Sequence, residues 1–333
     1  MLKRLGALFC TLILIVPLLS SCTSQERKSV SGTFFIFETI AQIRIYDTDD
    51  ESLLDKCKEF LDRYEDVFSA TRSTSELYKI NSSRLSDIEI SEDIYVTVKK
   101  ALEVCEMTQG RFDITIRPVS KLYNFTAEGF VPPDDEEIKN GLQSVSYRNI
   151  SVGKESGRYF LHKENADTEL DLGAVSKGYI SDRLKDYMRS IGIKNAMIDL
   201  CGNIMCLADD TGNDPDAYKI GVFDPTDIEG KDPVIVNVSD SCVITSGTYQ
   251  RNAEYNGKLY HHILDARNGL PAQGDLVSVC VVCKEGIMGD LLSTGLFLLG
   301  EEGIEAELPE NTGVLYIYED GTRKYAGNFK DLM

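Results

Sequence analysis

The chain has 333 residues, 42% of them hydrophobic, with 26 Gly, nine Pro and no Trp, which excludes collagen-like, low-complexity and wholly disordered classes. Lys and Arg total 35 against 54 Asp and Glu, a formal charge of −19. Such a field repels phosphate backbones and argues against nucleic acid as a partner.

The chain begins with Lys3 and Arg4 ahead of a mostly apolar run from Leu5 to Leu19, too short to span a bilayer comfortably and laid out like a secretory signal. The run ends in Leu19-Ser20-Ser21-Cys22, which resembles the bacterial lipobox. Residues 1–21 are therefore read as a lipoprotein signal peptide, Cys22 as the lipidated new N-terminus, and residues 22–32 as a polar tether. The expected location is the extracytoplasmic face of a bacterial membrane, at the cell membrane or on the periplasmic side. Loss of the signal removes Lys3 and Arg4 but no acid, so the mature body is more acidic still.

Residues 33–333 carry the fold. From Phe34 to Tyr46 the pattern is apolar and β-branched, as in a strand. Leu53, Leu54, Cys57, Phe60, Leu61 and Tyr64 then recur at helical steps, and a second helical pattern runs from Ile94 to Met107, stopped by Gly110. Pro132-Pro133-Asp134-Asp135 marks a surface turn. Strand patterns follow at Ala196–Leu200, Tyr218–Phe223, Val234–Val238, Val243–Ser246 and Leu276–Cys283, with helices only at about 175–190 and 288–299. Strands that return through short turns favour antiparallel pairing, so the expected class is α+β, a mainly antiparallel core flanked by helices in one intertwined unit.

The cysteines give no framework. Of nine, Cys10 falls in the signal and Cys22 at the anchor, and the remainder is odd with no regular spacing. Cys280 and Cys283 form a C-x-x-C, but on a buried strand the two thiols face opposite ways, so they read as core. With only three histidines and no H-E-x-x-H, zinc is poorly supported.

No P-loop and no G-x-G-x-x-G is present. Two other segments offer anion and metal chemistry. Glu169-Leu-Asp-Leu-Gly-Ala-Val-Ser-Lys-Gly-Tyr-Ile-Ser-Asp182 reads as a strand turning through Gly173 into a helix, with free backbone N–H groups and Lys177 near its start. Gly289-Asp290-Leu-Leu-Ser293-Thr294 opens an apolar helix whose Asp290 and Thr294 share a face. A carboxylate and a hydroxyl there suit a hard cation such as Mg²⁺; the competing reading is that Asp290 only caps the helix.

Between and before these segments lie Phe37-Glu-Thr39, Phe68-Ser69, Ser75-Glu-Leu77 with Asn81, Gly110-Arg-Phe-Asp-Ile-Thr115, Asp199-Leu-Cys-Gly-Asn203, Phe223-Asp-Pro225, Thr245-Ser-Gly-Thr-Tyr-Gln-Arg251 and Tyr260-His-His-Ile-Leu-Asp-Ala-Arg-Asn-Gly-Leu-Pro271. In this order, over essentially the whole mature chain, they resemble the ApbE family of flavin transferases. The resemblance implies that FAD is split at its pyrophosphate, AMP leaves, and FMN is esterified through phosphate to a Thr or Ser of an acceptor flavoprotein, with Mg²⁺ required. It assigns the metal to the Ala174 carbonyl, Asp290, Ser293 and Thr294. Many relatives carry a second Asp at the position of Ser293. It assigns FAD contacts to Phe37, Thr71, Arg111, Phe112, Asp113, Asp171 and Lys177. Thr71 stands where an aromatic is common, and Glu38 and Arg111 replace small residues. His262 is the candidate base, since it matches the family's histidine and imidazole titrates near neutrality; a hydrogen-bonded structural role is the competing reading. His261, on the other face of a strand, reads as structural.

Three quieter positions remain. Asn203 reads as serving a tight turn, Tyr123 as core or as a cover for the flavin ring, and Asp182 as a surface partner of Arg183 or Lys185. Two alternatives to the transferase use the same site: an FAD pyrophosphatase releasing FMN and AMP, and a non-catalytic FAD-binding lipoprotein.

Overall fold

A computed structural model describes residues 28–37, 39–125, 127, 129–208 and 218–333. The signal segment and Cys22 lie outside these residues. The centre is an eight-stranded sheet: β1 (Ser29–Ile36), β2 (Thr39–Tyr46), β3 (Ala196–Leu200), β4 (Asn203–Leu207), β5 (Cys242–Gly247), β6 (Leu276–Cys283), β7 (Gly313–Tyr318) and β8 (Arg323–Gly327). They lie side by side in that order, every pair antiparallel. The α+β expectation therefore holds.

Four long helices cover one face: α1 (Ser52–Phe68), α2 (Glu92–Met107), α3 (Ser176–Ser190) and α4 (Gly286–Leu299). Helix α1 turns Leu54, Cys57, Phe60, Leu61, Tyr64 and Phe68 inward at three- and four-residue steps. Helix α4 is apolar on nearly every side, because it runs between the sheet and α2 and α3. Burial of Ile287, Leu291, Leu292, Leu296 and Phe297 contributes about 1.5–3 kcal/mol each at most. The opposite face packs on the hairpin Tyr218–Val222/Val234–Val238 and on Phe329. Cys280 belongs to that layer and Cys283 to the helix layer, so the two thiols do face opposite ways.

Two local expectations are corrected, and one left open is decided. Phe34–Tyr46 is not one strand but parts of β1 and β2, which form a hairpin turning at Phe37 with φ of 53°. Phe37 is held there by its N–H, which donates to Glu65 Oε1 of α1 at 2.9 Å. Asp134, read as part of a turn, is the N-cap of a short helix, Asp135–Leu142, and closes a capping box with Glu137. Tyr123 is core: it is buried, stacks on Phe125, and donates its hydroxyl to Gly269 O at 3.0 Å.

Candidate functional site

The site is built where α3 crosses α4 with bare backbones in contact. A Cβ at Gly286 would lie 2.5 Å from Gly178 O, and one at Gly178 would overlap Gly286 O. Only glycine at both positions permits this approach. Two carboxylates then reach across. Asp182 of α3 accepts from the N–H groups of Gly286 and Ile287 at 2.8 and 2.9 Å, capping α4. Asp290 of α4 accepts in return from the Gly178 N–H at 3.0 Å. Asp182 is thus no surface partner of Arg183 or Lys185; it lies half-buried in the crossing, and burial raises its carboxyl to about 6 against the backbone donors that lower it.

Lys177 stands at the same place. Its ammonium donates to Gly173 O at 2.9 Å and lies 3.8 Å from Asp290 Oδ1. The turn that carries Gly173 and Ala174 is fixed by Asp171, whose Oδ1 accepts from the Gly173 N–H at 3.1 Å and whose Oδ2 accepts from the Ser120 hydroxyl at 2.6 Å.

A chain of hydroxyls gives the second half. Ser293 Oγ donates to Asp290 O at 3.0 Å and lies 2.8 Å from Ser246 Oγ, which lies 3.1 Å from Thr294 Oγ1. The proton directions follow. Ser293 spends its one proton on a carbonyl, so it accepts from Ser246; Ser246 has then spent its own and accepts from Thr294. The Thr294 proton therefore points toward β5, and among the described residues both lone pairs of its oxygen are left open. Ser293 is fully buried within this chain, whereas Thr294 is only half-buried. Among the described residues no group of three or more His, Cys, Asp and Glu is placed to hold a metal. What the crossing offers is one carboxylate with hydroxyl and carbonyl oxygens, a donor set suited to a hard cation that takes its remaining ligands from water or phosphate.

His262 follows the strand Lys258–His261, and its Nδ1 lies 3.2 Å from Arg251 O. A carbonyl only accepts, so Nδ1 carries the proton and Nε2 the lone pair. Burial lowers its pKa to about 4, helped by the positive charges of Arg251 and Lys177, so the ring is neutral at pH 7. His261 is buried, donates through Nε2 to Ala272 O at 3.1 Å, and lies edge-on to Phe297.

The other predicted residues form a rim of linked loops. Glu65 joins the Phe37 turn to Arg72, 3.4 Å from its Oε2, and Arg117 donates to Ala70 O at 3.2 Å, so Phe37 and the loop of Thr71 lie on one framework. Ile114 O accepts from the Asp171 N–H at 2.7 Å, which lays the segment from Arg111 to Thr115 beside the Lys177 turn. Its side chains serve the fold. Phe112 is core, and Asp113 accepts from the Thr115 N–H and hydroxyl and from the Tyr147 N–H at 2.7–2.8 Å. Arg111 reaches the far end of α4, donating to Leu298 O and Leu299 O at 3.3 and 3.2 Å and pairing with Glu302 at 2.8 Å. Eight helical steps separate Asp290 from Leu298, about 12 Å along the axis.

Sequence reasoning missed Ser246, the Asp182 cap and the glycine contact. A signal existed for the last: glycine within a helical pattern costs about 1 kcal/mol relative to alanine, so Gly178 in α3 called for a packing reason. Asn203 opens β4 after a turn at Cys201 and Gly202, and its Nδ2 is buried without a partner among the described residues.

A family profile described as the ApbE family matches residues 37–316. A FAD:protein FMN transferase of Treponema pallidum (strain Nichols) is 29% identical over 334 residues, covering 95% of this chain and 91% of that protein. Another, of Klebsiella pneumoniae (strain 342), is 31% identical over 254 residues, covering 76% and 77%. Among solved structures, the flavin transferase ApbE from Vibrio cholerae superposes with a TM-score of 0.80 at 26% identity, over 92% of this chain and all of that one. The profile match takes in β2 to β6, most of β7, both crossing helices and the loops around them, and on that extent the chain belongs to the ApbE family.

Proposed function

We propose that this chain is a magnesium-dependent FAD:protein FMN transferase, held by a lipid on Cys22 to the extracytoplasmic face of a bacterial membrane. It moves FMN from FAD to a Thr or Ser hydroxyl of an acceptor flavoprotein and releases AMP. One observation carries the reading: Lys177, Asp290 and the Thr294 hydroxyl meet at a helix crossing, and His262, neutral at pH 7, is the base assigned to it. The relatives named as FAD:protein FMN transferases support it over 95% and 76% of the chain.

The acceptor hydroxyl attacks the phosphorus on the FMN side of FAD, and the anhydride bond to AMP breaks. His262 Nε2 takes the hydroxyl proton; its neutral state at pH 7 and its fixed tautomer both suit a base. Lys177 spends one donor on Gly173 O and turns the rest of its charge to phosphate oxygens. A magnesium ion held by Asp290, Thr294 and the Ala174 carbonyl would supply Lewis-acid polarisation of the phosphate. Ser293 supports that set from behind, through Ser246. FAD contacts are assigned to Phe37, Thr71, Asp171 and Lys177, and to the backbone from Arg111 to Asp113, whose side chains are engaged elsewhere.

The test incubates the chain with FAD and an acceptor flavoprotein, with and without Mg²⁺, and weighs the acceptor by mass spectrometry. The expected result is an FMN ester on the acceptor only when Mg²⁺ is present, abolished by Asp290→Ala with the fold retained. FMN and AMP accumulating over an unlabelled acceptor would make the protein a pyrophosphatase instead. Undiminished labelling by Asp290→Ala would show that the metal is held elsewhere.

A further inference from the structure

Two cysteines outside the proposed chemistry face each other across the sheet beneath α4. Cys242 opens β5, Cys283 closes β6, and the antiparallel register opposes them directly. Their sulfurs lie 3.5 Å apart, and both side chains are buried on the helix face. Opposed residues of an antiparallel pair have Cα atoms about 4.5 or 5.5 Å apart. Both values fall within the span of about 4.4–6.8 Å that a disulfide bridges, so bonding asks for side-chain rotation and not for backbone movement.

The surroundings leave room for the bond. A Cβ at Gly289 would lie 2.8 Å from Cys242 Sγ and 3.4 Å from Cys283 Sγ, so α4 passes over the pair with bare backbone. Both thiols face Glu285 O, at 3.6 and 3.2 Å. That oxygen also accepts from the Gly289 N–H at 3.0 Å, and so keeps a partner once the thiol protons are gone. Cys280, although near in sequence, lies in the opposite layer.

We propose that Cys242 and Cys283 are a disulfide-forming site, closed by exchange with a disulfide oxidant of the glutathione type. One cysteine thiolate attacks a sulfur of the oxidant and releases one thiol. The second attacks the mixed disulfide at the protein sulfur and releases the other thiol. The protein thereby gives up two electrons and two protons, and the oxidant's disulfide is reduced to two thiols. The bond ties the strand that carries Ser246 to the strand end from which α4 departs with Asp290 and Thr294. The contact with the Cys283 sulfur, together with burial, raises the Cys242 thiol well above its ordinary value in the closed fold, so exchange proceeds during folding or through an opened state.

Two arms test this on the full chain: refolding from urea in a glutathione redox buffer, and incubation of the folded protein with oxidised glutathione. After alkylation in denaturant and digestion, mass spectrometry reads which peptides are joined. The expected result in at least one arm is a Cys242–Cys283 link, lost in Cys283→Ser, kept in Cys280→Ala, and accompanied by a higher melting temperature. Both cysteines alkylated in both arms, or Cys242 joined to Cys206 or Cys280, would overturn the proposal. Neither readout depends on flavin transfer, so its failure is distinct from failure of the proposed activity.

Discussion

Replacing Gly178 by alanine sets two effects of opposite sign against each other. Alanine is the better helix former by about 1 kcal/mol. Its Cβ, however, would overlap Gly286 O and lie 2.6 Å from Gly286 C and 2.7 Å from Asp290 Cβ. Ordinary carbon contacts are about 3.5 Å or more, so α3 and α4 must part by about 1 Å. The obstacle is backbone on both sides, with no flexible side chain to turn away. Overpacking of this kind costs about 1–3 kcal/mol and occasionally more, enough to outweigh the propensity gain. Parting the helices also strains the bond from the Gly178 N–H to Asp290 Oδ2 and draws Lys177 from its place, and misplacement by about 1 Å can cost about a hundredfold in rate. Gly178→Ala is therefore expected to lower thermal stability and to cut acceptor labelling far more than its helix content. Gly153→Ala, where a Cβ meets open space, is the control. Gly178→Ala that melts with the wild type and labels at the wild-type rate would refute the crossing as the element that positions the site.

His262 titrates at about 4, so labelling activity is expected to hold from pH 8 down to about 5 and to fall below that as Nε2 takes a proton; an acid limb near 6.5 would show an ordinary solvated imidazole. The same group bears on stability: its folded pKa lies below the unfolded value of 6.5, so its contribution is present above 6.5 and lost as pH falls toward 4. Asp182 runs the other way. Its folded pKa, about 6, exceeds the unfolded 3.8, so in denaturant titrations the advantage of the wild type over Asp182→Ala should be largest near pH 4 and shrink as pH rises through 6. Lys163, fully buried, donates to Ile80 O, Ser83 O and Thr168 O at 3.4, 2.7 and 3.3 Å. Lys163→Met should cost about 3 kcal/mol or more, since each buried acceptor left alone costs about 1–3 kcal/mol; a loss under about 1 kcal/mol by urea unfolding would overturn this account.

Elements whose signal is local were legible. The helical steps of α1 and the apolar run of β6 are written in consecutive residues, and the structure places them there. The hairpin at Phe37 was not, because no Gly, Pro or Asn marks it. Its turn rests on Glu65, 28 residues away, and a bond of that reach has no trace in the neighbouring residues. Asp182 was misread for a similar reason. Arg183 and Lys185 beside it supplied a nearby explanation, while its true partners are backbone N–H groups 104 and 105 residues on. At the candidate site, Lys177, Asp290 and His262 stand out in the sequence by residue type, but the link of Ser246 to Ser293 and Thr294 is visible only once β5 lies against α4. Arg111 and Asp113 show the converse: polar residues within a motif whose side chains the fold itself consumes.

The proposed reaction asks so acidic a chain to present a place for an anion at the crossing. Screening at physiological salt confines each exposed charge to about 8 Å, so the total of −19 matters less than the few groups at the crossing. There Lys177 and Asp290 offset each other at 3.8 Å, and Asp182 answers the positive end of α4. Against the pyrophosphate of the proposed substrate, about two negative charges, the crossing then sets the remaining ammonium donors of Lys177 and the start of α3, worth about half a positive charge. That balance falls short by itself. In the proposed reaction the Thr294 oxygen and the Asp290 carboxylate would together add a divalent cation, and the inward-pointing protons of Ser293 and Ser246 would keep that oxygen open.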